Sequence, residues 1–325
     1  MKLRIASFNL ENLDESARDR TILDRRIEVL QPLLLKLDAD ILCLQEVHAQ
    51  DGPANRRILK ALDLLLLGTK YENYYRAYTQ TERSKQVYGL RNLVILSAYP
   101  ILSFAQYRND FAPSPHYQFV TAEPVDKTSS SVRWERPILH AQIDLGLDRP
   151  LHLLNLHLKS RLPTPVEGQT IGRSKWRSAS GWAEGYFVSS MKRVGQALEV
   201  RRFIDHIFDQ DEQSLLAVCG DFNAGIKDVP VMAICGDVAE TRNPDLIQRE
   251  MIPTELSLPP SQRFSFIYQG EERMLDHILV SRPLWRYHQR SEIHNALLQD
   301  ESLNIGGDKL FPESDHAPLV TEFLL

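Results

Sequence analysis

Acidic, amide and imidazole side chains stand at the ends of apolar runs at least six times along this chain. Asn9 ends Ile5-Ala6-Ser7-Phe8, Glu46 ends Ile41-Leu42-Cys43-Leu44-Gln45, His157 ends Leu153-Leu154-Asn155-Leu156, and Asp221 with Asn223 follows Leu216-Ala217-Val218-Cys219-Gly220. Asp276 lies within Met274 to Val280, and Asp315-His316 precedes the last apolar run. Taken singly, a carboxylate or Asn at such a place is a turn former or helix cap. As a set, in a fold whose strand ends gather on one edge, they make a site. Three or four carboxylates forced together repel and raise one another's pKa unless a cation sits among them. Oxygen ligands without paired thiolates favour Mg²⁺ or Mn²⁺ over Zn²⁺. Strand parity keeps Asn155 and His157 on one face, and Asp221 and Asn223 on one face if the chain stays extended. His140, His152 and His277 are read as structural or surface histidines.

The elements that must position these groups follow from hydrophobic period. Leu3 to Phe8 is a first strand, and Leu23, Ile27, Leu30, Leu34 and Leu37 recur at helical spacing, with Pro32 expected to kink that helix or split it in two. Asp40 to Leu44 is a short buried strand, and Ile58 to Leu67 a second helix. Further strands are expected at 74–78, 93–97, 101–107, 137–145, 151–157, 215–219, 264–268, 275–280 and 318–323, with a helix over 187–209. Many strands, short links and few helices predict a layered α/β sandwich of two mixed sheets with helices outside. Neither a repeat nor a linker-like break is visible, so all of 1–325 is expected to form a single domain.

Composition narrows the class. With 38 Lys plus Arg against 43 Asp plus Glu, the net charge of −5 argues against a surface coated in basic residues for bulk nucleic-acid binding. Cys43, Cys219 and Cys235 match no metal knuckle and are expected to be buried reduced thiols. No secretory signal and no membrane span are expected, which places the protein in the cytoplasm with no membrane partner and no obligate protein partner. Phosphate-loop, nucleophile-elbow and zinc-helix motifs are absent.

Ser7-Phe8-Asn9, Leu44-Gln45-Glu46, Asn155-Leu156-His157-Leu158, Gly220-Asp221-Phe222-Asn223, Leu275-Asp276-His277-Ile278 and Ser314-Asp315-His316-Ala317-Pro318 occur in that order. Together they resemble the motifs of the endonuclease/exonuclease/phosphatase family, the deoxyribonuclease-I-like superfamily. The resemblance implies a four-layer α/β sandwich with one active site at the sheet edge, hydrolysing a phosphoester with Mg²⁺ or Mn²⁺. It makes Glu46 the principal metal ligand, helped by Asp315 and Asn9. Asp221 would orient or deprotonate the attacking water, and Asn223 would position it or the phosphate. His316, held by Asp276, would contact a phosphate oxygen, and His157 would make a second contact or serve as general acid. Asn92 resembles a phosphate-contacting position, with Arg91 beside it as the alternative.

The family includes nucleases, abasic-site enzymes, RNA deadenylases, sphingomyelinases and inositol polyphosphate phosphatases, and the shared residues do not choose among them. A phosphodiesterase acting on DNA or RNA is the leading reading. A small-molecule or lipid-headgroup phosphoester hydrolase and a non-catalytic scaffold are the alternatives. Residues 159–193 bear on that choice, since seven cations against two acids give them a net +5. Trp176, Trp182, Tyr186 and Phe187 are interleaved with Arg173, Lys175 and Arg177, a pattern that neutralises phosphates and stacks on bases. The segment is expected to be a long loop, mobile at Gly168, Gly172, Gly181 and Gly185, forming a flap that selects substrate.

Overall fold

The computed structural model describes residues 1–15, 20–172, 175–303 and 312–325. In chain order its main elements are β1 (Lys2–Leu13), α1 (Arg20–Leu37), β2 (Ile41–Val47), α2 (Lys60–Leu66), β3 (Tyr75–Tyr78), β4 (Asn92–Ser97), β5 (Ile101–Tyr107), β6 (Ile138–Ile143), β7 (Leu151–His157), β8 (Thr170–Ile171) and β9 (Lys175–Trp176). They continue with α3 (Ala179–Gln210), β10 (Leu215–Asp221), α4 (Val229–Cys235), β11 (Met251–Pro253), β12 (Asp276–Ser281), β13 (His288–Ile293) and β14 (Leu319–Leu324).

Two six-stranded mixed sheets result, one ordered β13-β14-β1-β2-β4-β3 and the other β11-β12-β10-β7-β6-β5. Only β1 with β2 and β7 with β10 run parallel among these neighbours. Side-chain alternation sorts the apolar residues into three layers. Leu42, Leu44, Val94 and Leu96 pack beneath Leu23, Leu30 and Leu34 of α1 and Leu62, Leu65 and Leu66 of α2. Leu154, Leu156, Leu216 and Val218 pack beneath Val200, Phe203, Ile204 and Ile207 of α3. Between the sheets lie Ile5, Ile41, Cys43, Ile95, Leu139, Leu153, Ala217, Cys219, Ile278 and Val280. Helix, sheet, sheet and helix stack as the expected four-layer α/β sandwich, and all three thiols are buried.

Pro32 does not divide its helix, since α1 runs unbroken from Arg20 to Leu37. Pro32 and Glu28 both lie on the exposed side, so the Glu28 carbonyl that loses its partner meets water. A larger correction concerns the segment after His157. Helix α3 begins at Ala179, capped by Ser178, whose hydroxyl accepts from Gly181 N at 3.0 Å. Trp182, Tyr186, Phe187, Lys192 and Arg193 are therefore helical, and β8 and β9 form a hairpin. Gly181 and Gly185 are sites of close approach rather than hinges: a Cβ there would fall 2.5 Å from Gln169 Oε1 and from Thr164 O respectively.

Helix α3 also fastens the long connection between β5 and β6. The fully buried Glu199 accepts from Asp110 N at 2.7 Å and Trp134 Nε1 at 2.5 Å, while Glu184 accepts from Val120 N at 2.6 Å and Tyr117 Oη at 2.8 Å.

Candidate active site

The inter-sheet core ends in polar residues at one edge, where the C-terminal ends of β1, β2, β7 and β10 meet the N-terminal ends of β12 and β14. His157 lies opposite Asp221, and Asp221 opposite Asp276. Their face of the sheet is the one that carries Leu153, Cys219 and Ile278 lower down, so all three project into the gap between the sheets.

Asp221 is the hub. Its Oδ2 lies 3.1 Å from Asn9 Nδ2, 3.2 Å from His157 Nε2, 3.1 Å from Asn223 Nδ2 and 3.9 Å from His316 Nε2, and its Oδ1 accepts from Asn223 N at 2.8 Å. Burial works against its charge, but the imidazoles of His316 and His157 outweigh that and hold the carboxyl well below the usual range. Asn223 reaches Asp221 because the chain does not stay extended: its φ of 50° folds the amide back. On the far side, His316 Nδ1 stands 2.7 Å from Asp276 Oδ2, which also accepts from Ser265 Oγ at 2.6 Å. Burial opposes a charged His316, yet Asp276, Asp315 and Asp221 around one ring raise its pKa well above 6.5 and favour the imidazolium.

Glu46 arrives by a break in alternation. Cys43 faces the inter-sheet core and Leu44 the helices, so a regular strand would turn Gln45 inward and Glu46 outward. A φ of 59° at Glu46, with register shifts against both neighbouring strands, turns it to the site. Its Oε1 lies 3.6 Å from His157 Nε2 and its Oε2 accepts from Asn12 N at 3.0 Å. Burial raises its pKa, but His157, Arg91 and Arg136 bring it below the ordinary value.

Glu46, Asp315 and Asn9, expected to hold a metal, come to this same edge from β2, from just ahead of β14 and from β1. Among the described residues two groups have the spacing of metal ligands, Asp221 with Asp276 and His316, and Asp315 with Glu11 and Glu301. Asn9 donates to Asp221 and accepts from Glu11 N at 2.9 Å, which leaves a lone pair on its Oδ1. Charge also suits a dication. Glu11, Glu46, Asp221, Asp276, Glu301 and Asp315 stand among Arg26, Arg91, Arg136, His157 and the His316 imidazolium, so carboxylates outnumber the cationic side chains around them. The donors are mainly carboxylate oxygens, which suits a hard divalent metal.

Asn92 has no capacity left for a phosphate. It is fully buried, donates to Val47 O at 3.0 Å and Tyr88 O at 2.8 Å, and accepts from Tyr88 N at 2.8 Å and Thr79 Oγ1 at 3.2 Å. The exposed Arg91 beside it donates to Asn12 Oδ1 at 3.2 Å and is the cation at the rim. Sequence reasoning also missed Arg26, Arg136 and Ser265, because none ends an apolar strand. Glu11 could have been found two residues after Asn9.

The basic segment is more committed than its charge suggests. Arg161 pairs with Asp228 at 2.6 Å and donates to Asn223 O at 3.3 Å, Lys192 faces Glu135 at 3.4 Å, and Arg193 donates to Lys159 O at 2.9 Å. Trp176 is half-buried, its ring over Gly185 of α3, whereas Lys175 and Arg177 are exposed and Arg177 lies 3.8 Å from Glu123. Arg173 lies outside the described residues. His140 and His152 stack at 5.3 Å, with Phe203 beside His140, and His277 is fully buried against Glu255 and Ala224 O.

No curated protein sequence matches the chain. Solved structures do. TDP2 from Caenorhabditis elegans, in truncated form, is similar at 17% identity and a TM-score of 0.57, covering 100% of this chain and 98% of that one. An AP endonuclease from Archaeoglobus fulgidus is similar at 16% identity and a TM-score of 0.52, covering 99% of this chain and 100% of that one. An endonuclease/exonuclease/phosphatase family protein from Bacteroides thetaiotaomicron is similar at 15% identity and a TM-score of 0.56, covering 99% and 94%. Likeness at such identities speaks for the fold. In sequence, the profile of the Endonuclease/Exonuclease/phosphatase family matches residues 6–316. With that match over nearly its whole length, the chain belongs to the endonuclease/exonuclease/phosphatase family.

Proposed function

We propose that the protein is a divalent-metal-dependent phosphodiesterase that cleaves nucleic acid by in-line attack of an activated water. The convergence of Asn9, His157, Asn223 and His316 on one buried, ionised Asp221 carries this reading. A carboxylate held ionised accepts a hydrogen bond from the attacking water, orienting it or taking its proton as the new bond to phosphorus forms, and Asn223 fixes the direction of its lone pairs. His316, kept cationic by Asp276, donates to a non-bridging phosphate oxygen as charge develops there, and His157 supplies a second donor. Glu46, with Asp315 and with Asn9 through water, would hold Mg²⁺ or Mn²⁺, which neutralises the phosphate and the leaving oxygen.

Nucleic acid is favoured over a small phosphoester by Lys175 and Arg177, exposed on the β9 strand and just beyond it, and by Arg91 at the rim. The 159–193 segment is read as an insertion in a single domain, with Arg173, Lys175, Trp176 and Arg177 gripping the strand. Among the described residues no helix is long and apolar enough to cross a membrane, and a cytoplasmic site of action belongs to the same proposal. The test compares single- and double-stranded DNA, RNA and small phosphoesters with Mg²⁺ or Mn²⁺, and again in excess chelator. Turnover of a polynucleotide that vanishes with the metal is expected. Full activity in chelator would overturn the metal assignment, and activity confined to small phosphoesters would overturn the substrate.

A further inference from the structure

One rung below the site, a second polar layer crosses the gap between the sheets. Asn155 in β7 is fully buried and donates from Nδ2 to two carbonyls of the opposite sheet, Leu44 O at 3.0 Å and Val94 O at 2.9 Å. Its Oδ1 accepts from Gln45 Nε2 at 2.7 Å, and Gln45, also fully buried, sits in β2 opposite Asn9. Ser7 Oγ lies 3.4 Å from the same Gln45 Nε2, and the rungs beneath are lined by Ile5, Ile41, Leu153 and Ala217. Since both Asn155 hydrogens serve carbonyls, Gln45 must present its amino group, and its Oε1 then meets no donor among the described residues. A buried acceptor without a donor destabilises the fold, and local rules of this kind are broken at functional sites.

We propose that Gln45 and Asn155 are positioning residues, a latch that fixes the two sheets against each other where the site is assembled. The proposal rests on the phosphodiesterase reading for its kinetic half. Gln45 precedes Glu46 and Asn155 lies two residues before His157, so the latch sets the gap that Glu46 Oε1 and His157 Nε2 span at 3.6 Å. Apolar packing between the sheets is non-directional, whereas these three hydrogen bonds are directed and fix separation and offset at this one rung. Asn9 of the first sheet and Asp221 of the second, 3.1 Å apart, depend on the same gap.

The test separates placement from stability. Gln45→Met and Asn155→Leu each orphan the other's amide, whereas the double variant removes that mismatch and, with only the Leu44 and Val94 carbonyls still lacking the Asn155 donor, recovers part of the stability. All three are measured for Tm, for kcat and KM on a small activated phosphodiester, and for hydrogen exchange of the Asn12 amide, which bonds Glu46 Oε2. Both single variants lower Tm, and the double lies above Asn155→Leu. In all three kcat falls about 10- to 100-fold, with KM within about threefold, since the lost interaction is made in the transition state. Asn12 exchange rises about tenfold or more as its bond to Glu46 loosens. A kcat that returns with Tm in the double variant, or Asn12 exchange that stays at the wild-type rate, overturns the latch. Wild-type protein inactive on every phosphodiester would defeat the functional reading, while Asn12 exchange would still decide the structural one.

Discussion

Replacing Asp221 and His316 singly and together tests whether the site acts as one unit. Asp221→Asn keeps the shape and the Asn9 and Asn223 neighbours but removes the charge, and His316→Ala removes the imidazole. A water-activating base contributes about 10² to 10⁴ in rate, so about 10³ is expected for Asp221→Asn, equal to about 4 kcal/mol of transition-state stabilisation. The coupling can be sized from the geometry. Opposite charges 3.9 Å apart attract by about 4 kcal/mol at an effective dielectric of about 20. That attraction is the largest one holding Asp221 ionised and adds to the hold of Asp276 and Asp315 on the His316 proton, so losing either partner removes part of what the other does. The double variant should therefore lose about 10³ to 10⁴ in kcat/KM, not the roughly 10⁶ of independent effects. The assay is steady-state hydrolysis of a small activated phosphodiester with Mn²⁺, with Tm recorded for each variant. Losses in free energy that simply summed would refute the shared role.

Glu46→Gln should abolish metal-dependent turnover while leaving Tm within a few degrees of wild type; measurable Mn²⁺-dependent activity in that variant would remove Glu46 from the ligand set. Neutralising Arg173, Lys175 and Arg177 together should weaken polynucleotide cleavage and flatten its salt dependence yet spare a small phosphodiester, and equal losses on both would assign the segment to the fold or the chemistry. Burial, with His152 beside it, lowers the His140 pKa to about 3. The unfolded chain then takes up a proton near 6.5 that the native state refuses, so stability present above pH 6.5 declines as pH falls towards 3, and His140→Phe should flatten that part of a Tm-against-pH curve. At Gly195 a Cβ would fall 2.3 Å from the Trp134 ring, so Gly195→Ala should lower stability by about 1–3 kcal/mol despite alanine's better helix propensity, read by urea denaturation.

The layers were legible because the apolar runs Leu151 to His157 and Leu215 to Asp221 are short, bounded by turns and buried on both faces of their sheet, and the helical period of α1 is unmistakable. Positions at regular strand ends followed: Asn155 and His157 do share the inter-sheet face. What alternation could not show is where the backbone leaves it. Glu46 and Asn223 reach the site through left-handed conformations, and nothing in a Glu or its neighbours signals a positive φ. The start of α3 was hidden by Gly181 and Gly185, which favour loops locally but here admit Gln169, Thr164 and Trp176 against the helix. Arg26 and Arg136 were invisible for another reason: their charge acts on the site from elements that do not end there.

Strand β14 lies between β13 and β1, and just ahead of it Ser314 Oγ donates to Asn9 O at 2.6 Å across 305 residues of chain. Pairings so distant in sequence carry a large loop-closure entropy and form slowly. His316, immediately upstream of that strand, thus comes into place only when the first sheet has closed around β14. A partly folded chain, with β2 and β7 formed but β14 still loose, would present acidic strand ends without the imidazolium that completes them. On the proposed reading, turnover would in that sense report finished folding, and a chain with β14 still loose would be silent.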